Sequence, residues 1–191
     1  MSSKQVLTLD ISGRPYAWLD PHEAVTHYAK GRVAWELGER LTTFHGGHNH
    51  RGLRSRIDVA PIIAIAGSHV MASQVWAPLA LSDRDNTLLF RRDRSTCGYC
   101  GQQFPHRLLT RDHILARSRG GQDTWTNCVT ACRECNHAKG AKLVEDFRPL
   151  IFVPYVPCRY EHFLLSGRNI LADQHDYLAA KLPRHSRSRE H

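Results

Sequence analysis

No stretch of this sequence stays apolar for long. Its most hydrophobic run, "VAPIIAIAG" at 59–67, falls far short of the roughly 20 residues that a membrane-spanning helix needs. The start, "MSSKQVLTLD", lacks a basic segment followed by an apolar one, so no secretory signal is expected and a soluble, cytoplasmic protein is. Acidic side chains are the minority, 18 Asp and Glu against 26 Lys and Arg, which leaves a formal net charge of +8 besides 13 histidines. That balance favours a polyanionic partner, nucleic acid before membrane surface, and says nothing about fold. No internal repeat is present. Hydrophobic residues make up 41% of the chain, enough for a core.

Along the chain, "VLTLD" (6–10) alternates like an edge strand, and "SGRP" turns it. "DPHEAVTHYAKG" (20–31) signals a helix: Asp20 caps it, Pro21 suits its first position, Glu23 completes a capping box and Gly31 ends it. "RVAWEL" (32–37) and "SRIDVAPIIAIAG" (55–67) read as strands, the second interrupted by Pro61 and therefore bent or at an edge, with "TTFHGGHNHRG" as a loop between them. Residues 1–80 thus form a small α+β unit without a catalytic signature. "SDRDNTLLFRRDR" (82–94) reads as a helix capped by Ser82. "RPLIFVPYVPCRY" (148–160) carries three prolines and must be largely extended, "LADQHDYLAAKL" (171–182) is a last helix, and the basic tail 183–191 is expected to be disordered. The expected units are 1–80, a motif-bearing core at 81–147, an extension at 148–182, and the tail.

Six cysteines occur, and their spacing matters more than their number. Cys97 with Cys100, and Cys132 with Cys135, form two C-x-x-C units. In an intracellular chain, units so paired favour metal over disulfides. Four thiolates are the ligand set of a closed structural zinc site. A redox reading is weakened because no thioredoxin-like βαβ pattern surrounds either pair. The 31 residues between the pairs exceed a compact ribbon, so something folded is inserted there. Cys128 and Cys158 stand alone and read as small buried residues.

The segment that holds this insert is "LLTRDHILARSRGGQDTWTNCVTACRECNHAKG" (108–140). Asp112-His113-Ile114, the Gly120-Gly121 pair, Asn127, and Cys132, Cys135, Asn136 and Lys139 in "C-x-x-C-N-x-x-K" resemble the HNH endonuclease family in its zinc-knuckle form. The flanks are similar to a longer bacterial and phage group of that family. The resemblance implies an α+β chain with a ββα-metal (His-Me finger) core inserted between two zinc knuckles, a small α+β N-terminal unit and an extended and helical C-terminal extension. It also implies metal-dependent hydrolysis of DNA. The name-giving third position departs from the pattern: Asn136 stands where His is usual, and His137 follows. An amide oxygen still suits a hard cation such as Mg²⁺ or Mn²⁺.

On this reading His113 is the general base, because a neutral imidazole takes a proton from water near pH 7. Asp112 and Asn136 hold the catalytic cation, and Asn127 ties the loop that orients the imidazole. Neighbours on a regular strand face opposite ways, so the resemblance further implies that the strand ends in a loop bending Asp112 and His113 around one phosphate. A helix over 133–139 turns Cys135 and Asn136 about 100° apart, one to zinc and the other to the catalytic ion. Arg111, Arg117, Arg119 and Lys139 are the expected phosphate contacts. The alternative is a non-catalytic, zinc-dependent nucleic-acid-binding module, which would not need Asp112, His113 and Asn136 together. Cutting both strands from one active site would call for a homodimer. "HGGHNH" (45–50) reads as a mobile loop rather than a metal site, and Trp18, Trp35, Trp76 and Trp125 as packing.

Overall fold

The computed structural model describes residues 4–48, 50–67, 81 and 86–189. Trp76 and Ser82 lie outside them. The chain is mixed α+β and divides into two compact units, Met1–Ala77 with Ser166–Lys181, and Pro78–Leu165 with Leu182–His191. Among the described residues no helix is long and apolar enough to cross a membrane.

The first unit is built on a four-stranded sheet in the order β2-β1-β6-β3, from β1 (Val6–Leu9), β2 (Pro15–Leu19), β3 (Val33–Leu37) and β6 (Ile62–Ile65). β1 runs antiparallel to β2 and parallel to β6, so it is central and not the expected edge. Its alternation misleads because Thr8 is as buried as its neighbours, its hydroxyl donating to the Ala17 carbonyl at 2.8 Å. Helix α1 (Pro21–Ala29) forms as its caps dictate: the Asp20 carboxylate accepts from His22 N, and Glu23 accepts from Asp20 N. Its Ala24 is buried with Val6, Val59, Ile63 and Ile65.

The expected loop at 42–52 is largely a strand. β4 (Thr42–His48) pairs antiparallel with β5 (Arg54–Val59) as a ribbon, and Gly46-Gly47 fall where its register shifts. Two glycines read locally as a loop, yet they are compatible with a bulged strand whose partner supplies the hydrogen bonds. Pro61 does not bend one strand but separates two, β5 and β6, which lie in different sheets. The last helix (Ala172–Ala179) belongs to this unit through Gln174, which is fully buried and donates to the carbonyls of Gln5 at 2.7 Å and Pro61 at 2.8 Å.

In the second unit, helix α2 (Thr87–Arg92) is followed by the first cysteine pair, then by a hairpin and a short helix. Strand β7 (Leu109–His113) pairs antiparallel with β8 (Cys128–Cys132) in the register Leu109↔Cys132 through His113↔Cys128, and α3 (Arg133–Lys139) follows directly. Arg92 holds the unit from within. It is 0% exposed, paired with Asp93, and donates to the carbonyls of Trp125, Cys128 and Tyr155, with the Trp125 and Tyr155 rings against its guanidinium. A planar fork of five donors can serve so many acceptors, which a lysine cannot.

Residues 148–158 are irregular, as their prolines require, before α4 (Arg159–Ser166). The tail is ordered as far as it is described, in contrast to expectation. Ser186 is buried and donates to Glu161 at 2.8 Å, and Arg187–Arg189 form one 3-10 turn. The buried Glu161 carboxylate, which also accepts from Tyr155 and Ser188, is the anchor that the local composition of the tail could not reveal.

Candidate functional site

The four sulfurs of Cys97, Cys100, Cys132 and Cys135 lie within 4.8 Å of one another, close enough to bind a metal such as zinc. Local geometry supports such a centre. Cys132 caps α3 and its sulfur accepts from Cys135 N at 3.4 Å. Burial resists ionisation of Cys97, but amide donors from Cys100, Cys132 and Tyr99 win and hold its thiol below the ordinary cysteine value. Tyr99, inside the first knuckle, is buried, and its hydroxyl donates to Asp112. Burial and that carboxylate raise the Tyr99 phenol well above its usual range.

Strand β7 stays regular to its end, so Asp112 and His113 leave it on opposite sides, with His113, its last residue, bordering the loop that follows. The strand ends at His113 and a loop follows, as the resemblance implies, but both members of the pair lie within the ladder rather than in the loop. On one face, α3 covers Thr110 and Asp112. The Asn136 amide donates to Thr110 Oγ1 at 2.8 Å and to the Arg111 carbonyl at 3.1 Å. Lys139 Nζ lies 3.2 Å from Asp112 Oδ1 and donates to the His113 carbonyl at 2.7 Å. Two residues of α3 thus hold different parts of β7, Asn136 the Thr110 hydroxyl and Arg111 carbonyl, and Lys139 the Asp112 carboxylate. An open groove of about 600 Å³ is lined by Thr110, Arg133, Asn136, His137 and Gly140.

Opposite them, His113 Nε2 lies 2.8 Å from Asp123 Oδ1. The same oxygen accepts from Arg111 Nη1 at 2.6 Å, and Arg111 Nε donates to Asn86 at 2.8 Å. The Arg111 guanidinium holds the Asp123 carboxyl below the ordinary value of 3.8, with burial opposing and His113 assisting. Cys128 completes a His-Asp-Cys group with ligand atoms within 4.8 Å. Burial pushes its thiol up to about 11, and Arg111 already sets a positive charge on the shared oxygen, so this group is poorly suited to a cation.

Asp123 was not among the residues singled out from sequence. The available signal was alternation: Arg111 and His113 share a face, so an acid in the loop that follows can serve both.

Asn127 spans the loop without reaching His113. Its side chain accepts from Leu115 N at 2.9 Å and donates to the carbonyls of Gln122 and Leu115 at 2.9 and 3.2 Å. His113 itself is held by Asp123.

The cations divide. Arg117 and Arg119 are exposed. Arg111 has a side chain only 9% exposed and is paired with Asp123, while Lys139 is buried with Asp112. The latter two are correspondingly removed from the expected phosphate-contacting surface, because each neutralises a neighbouring carboxylate inside the unit.

No curated protein was found to match the chain. Residues 97–149, which span both cysteine pairs, the hairpin and α3, match the model of the HNH endonuclease family. This segment of the chain belongs to the HNH endonuclease family.

Proposed function

We propose that the chain is a metal-dependent endonuclease that hydrolyses DNA phosphodiester bonds, with zinc held by Cys97, Cys100, Cys132 and Cys135 as a structural ion. The observation that carries this reading is the placement of an imidazole, a carboxylate and an amide on one hairpin and its helix, within the matched segment. His113 takes the proton of a water molecule, whose oxygen lone pair attacks phosphorus. The bond to the 3′ oxygen breaks, that oxygen is protonated from solvent, and the ends are 5′-phosphate and 3′-hydroxyl. Arg117 and Arg119 supply exposed charge for the backbone.

Asp112 and Asn136 are the residues that would hold Mg²⁺ or Mn²⁺, and their donors fit a hard cation. The Asn136 nitrogen faces Thr110 and Arg111, which leaves its carbonyl oxygen as the ligand atom. Among the described residues Asp112 has two hydrogen-bond partners, Tyr99 and Lys139, against roughly four acceptor positions on a carboxylate. The cation supplies Lewis-acid stabilisation of charge on the phosphate and the leaving oxygen when bound. Lys139 competes for the same carboxylate oxygen. That competition is also the observation favouring the second reading, a zinc-dependent nucleic-acid-binding module in which Asp112 is purely structural.

Supercoiled plasmid incubated with the zinc-loaded chain separates the two. The nuclease reading expects cleavage that needs Mg²⁺ or Mn²⁺, stops in EDTA and disappears in His113→Ala. An intact plasmid under both ions, with DNA binding retained, would sink it in favour of the binding module. Relaxed circles or linear product report one or two cut strands, and the latter calls for a second copy of the chain.

A further inference from the structure

We infer that Asp123 is a positioning residue for the cleavage reaction: anchored by Arg111, it accepts the Nε2 proton of His113 and leaves Nδ1 as the basic nitrogen. This rests on the reading of His113 as the base. The geometry is specific. One oxygen, Oδ1, receives both Arg111 Nη1 at 2.6 Å and His113 Nε2 at 2.8 Å, and the Asp123 side chain is 22% exposed. An ionised carboxylate only accepts hydrogen bonds, so the imidazole must donate. A neutral imidazole has one N–H, and with Nε2 donating, the lone pair is on Nδ1.

Each neighbour of Asp123 supports the assignment. Arg111 is itself fixed to Asn86 at 2.8 Å, which stops the carboxylate from following the ring as it moves. Cys128 Sγ lies 3.9 Å from the same oxygen and is at most a weak donor. Arg117 Nη1 is 3.9 Å from Oδ2, with its side chain 73% exposed, and does not compete for Oδ1. Without Asp123, Arg111 and His113 would be cations side by side once the ring takes a proton. With it, the imidazolium formed by proton transfer to Nδ1 is matched by an adjacent negative charge. The carboxylate need never gain the proton itself, since its part is to fix the ring and the tautomer.

The test uses full-length zinc-loaded protein with ¹⁵N-labelled histidine, the His113 signal being identified by its loss in His113→Ala. Long-range ¹⁵N–¹H correlation should show the Nε2–H tautomer for neutral His113. In parallel, plasmid cleavage by Asp123→Asn should lose about 100-fold or more in kcat with KM little changed, because the amide can donate to Nε2 and invert the tautomer. Asp123→Glu should recover part of that loss. An Nδ1–H tautomer in the wild type, or wild-type kcat in Asp123→Asn, would overturn the inference. Its failure is distinct from failure of the nuclease reading. If the inference alone is wrong, the wild type cleaves, His113→Ala does not, and Asp123→Asn is unimpaired. If the nuclease reading is wrong, the wild type itself leaves the plasmid intact and both fall.

Discussion

Lys139 and Asp112 form an ion pair inside the second unit, Nζ to Oδ1 at 3.2 Å, with side chains 0% and 5% exposed. The ammonium also caps the His113 carbonyl, so one lysine fastens α3 to the end of β7. Removing one partner of a buried pair leaves the other charge unmatched, at a cost of roughly 3–5 kcal/mol. Lys139→Met should therefore lower stability in urea by that order. Asp112→Asn combined with Lys139→Met should cost less than the sum of the single changes. Mg²⁺ should restore part of the loss in Lys139→Met, where Asp112 is freed, and none in the double variant. Equal Mg²⁺ responses in both would argue against Asp112 as a cation ligand.

The four-cysteine cluster joins the first knuckle to the end of β8 and the start of α3. Zinc bound there should hold residues far apart in sequence, and structural zinc in small peptides contributes on the order of 10 kcal/mol. Native mass spectrometry is expected to find one zinc per chain. Chelation should release it, make four further thiols reactive and abolish the near-ultraviolet circular dichroism of the second unit. Thiols that react at the same rate before and after chelation would show that no such centre exists.

What could be read from the sequence was what neighbours in the chain decide. Asp20, Pro21 and Glu23 define the start of α1 within one turn, and the C-x-x-C spacings place four sulfurs together. The position of β1 within its sheet was not readable, because it depends on Thr8 finding the Ala17 carbonyl across a strand pair. β4 was hidden for a similar reason: Gly46 and Gly47 have loop propensity, and only pairing with β5 makes them strand. In the candidate site, the resemblance to the HNH motif made His113, Asp112 and Asn136 candidates. Which side each faces followed from the hairpin register, and Asp123 gained its meaning only once Arg111 and His113 were on one face.

Gly120 and Gly121 close the loop for different reasons, and substitution should separate them. Gly120 has φ +87° with open space around it, so Gly120→Ala carries backbone strain alone, about 1–2 kcal/mol. A Cβ on Gly121 would sit 1.7 Å from the Leu115 carbonyl oxygen, and 3.0 Å from the Asn127 amide that binds it. Backbone must move to admit it, and overpacking of this kind costs about 1–3 kcal/mol or more. Gly121→Ala should in addition release Leu115 from Asn127, seen as faster amide exchange at Leu115. Unchanged exchange there would mean that the loop does not depend on this close approach.

The Asp123 carboxyl should leave a mark on stability in acid. Arg111 above all, with help from His113, holds its folded pKa below the ordinary 3.8 against the opposing effect of burial. A carboxyl lowered by folding contributes stability that is complete above its unfolded value and fades as pH falls through the folded one. The window therefore opens near 3.8 and extends below it. Urea midpoints of wild type and Asp123→Asn, measured at steps from pH 6 to pH 2, should run parallel above about pH 5 and converge below about pH 4. Zinc loss from the thiolates is common to both proteins and cancels in the difference. A gap that instead widened toward low pH would mean that the folded state raises this pKa, and that Arg111 does not hold Asp123 in its ionised form.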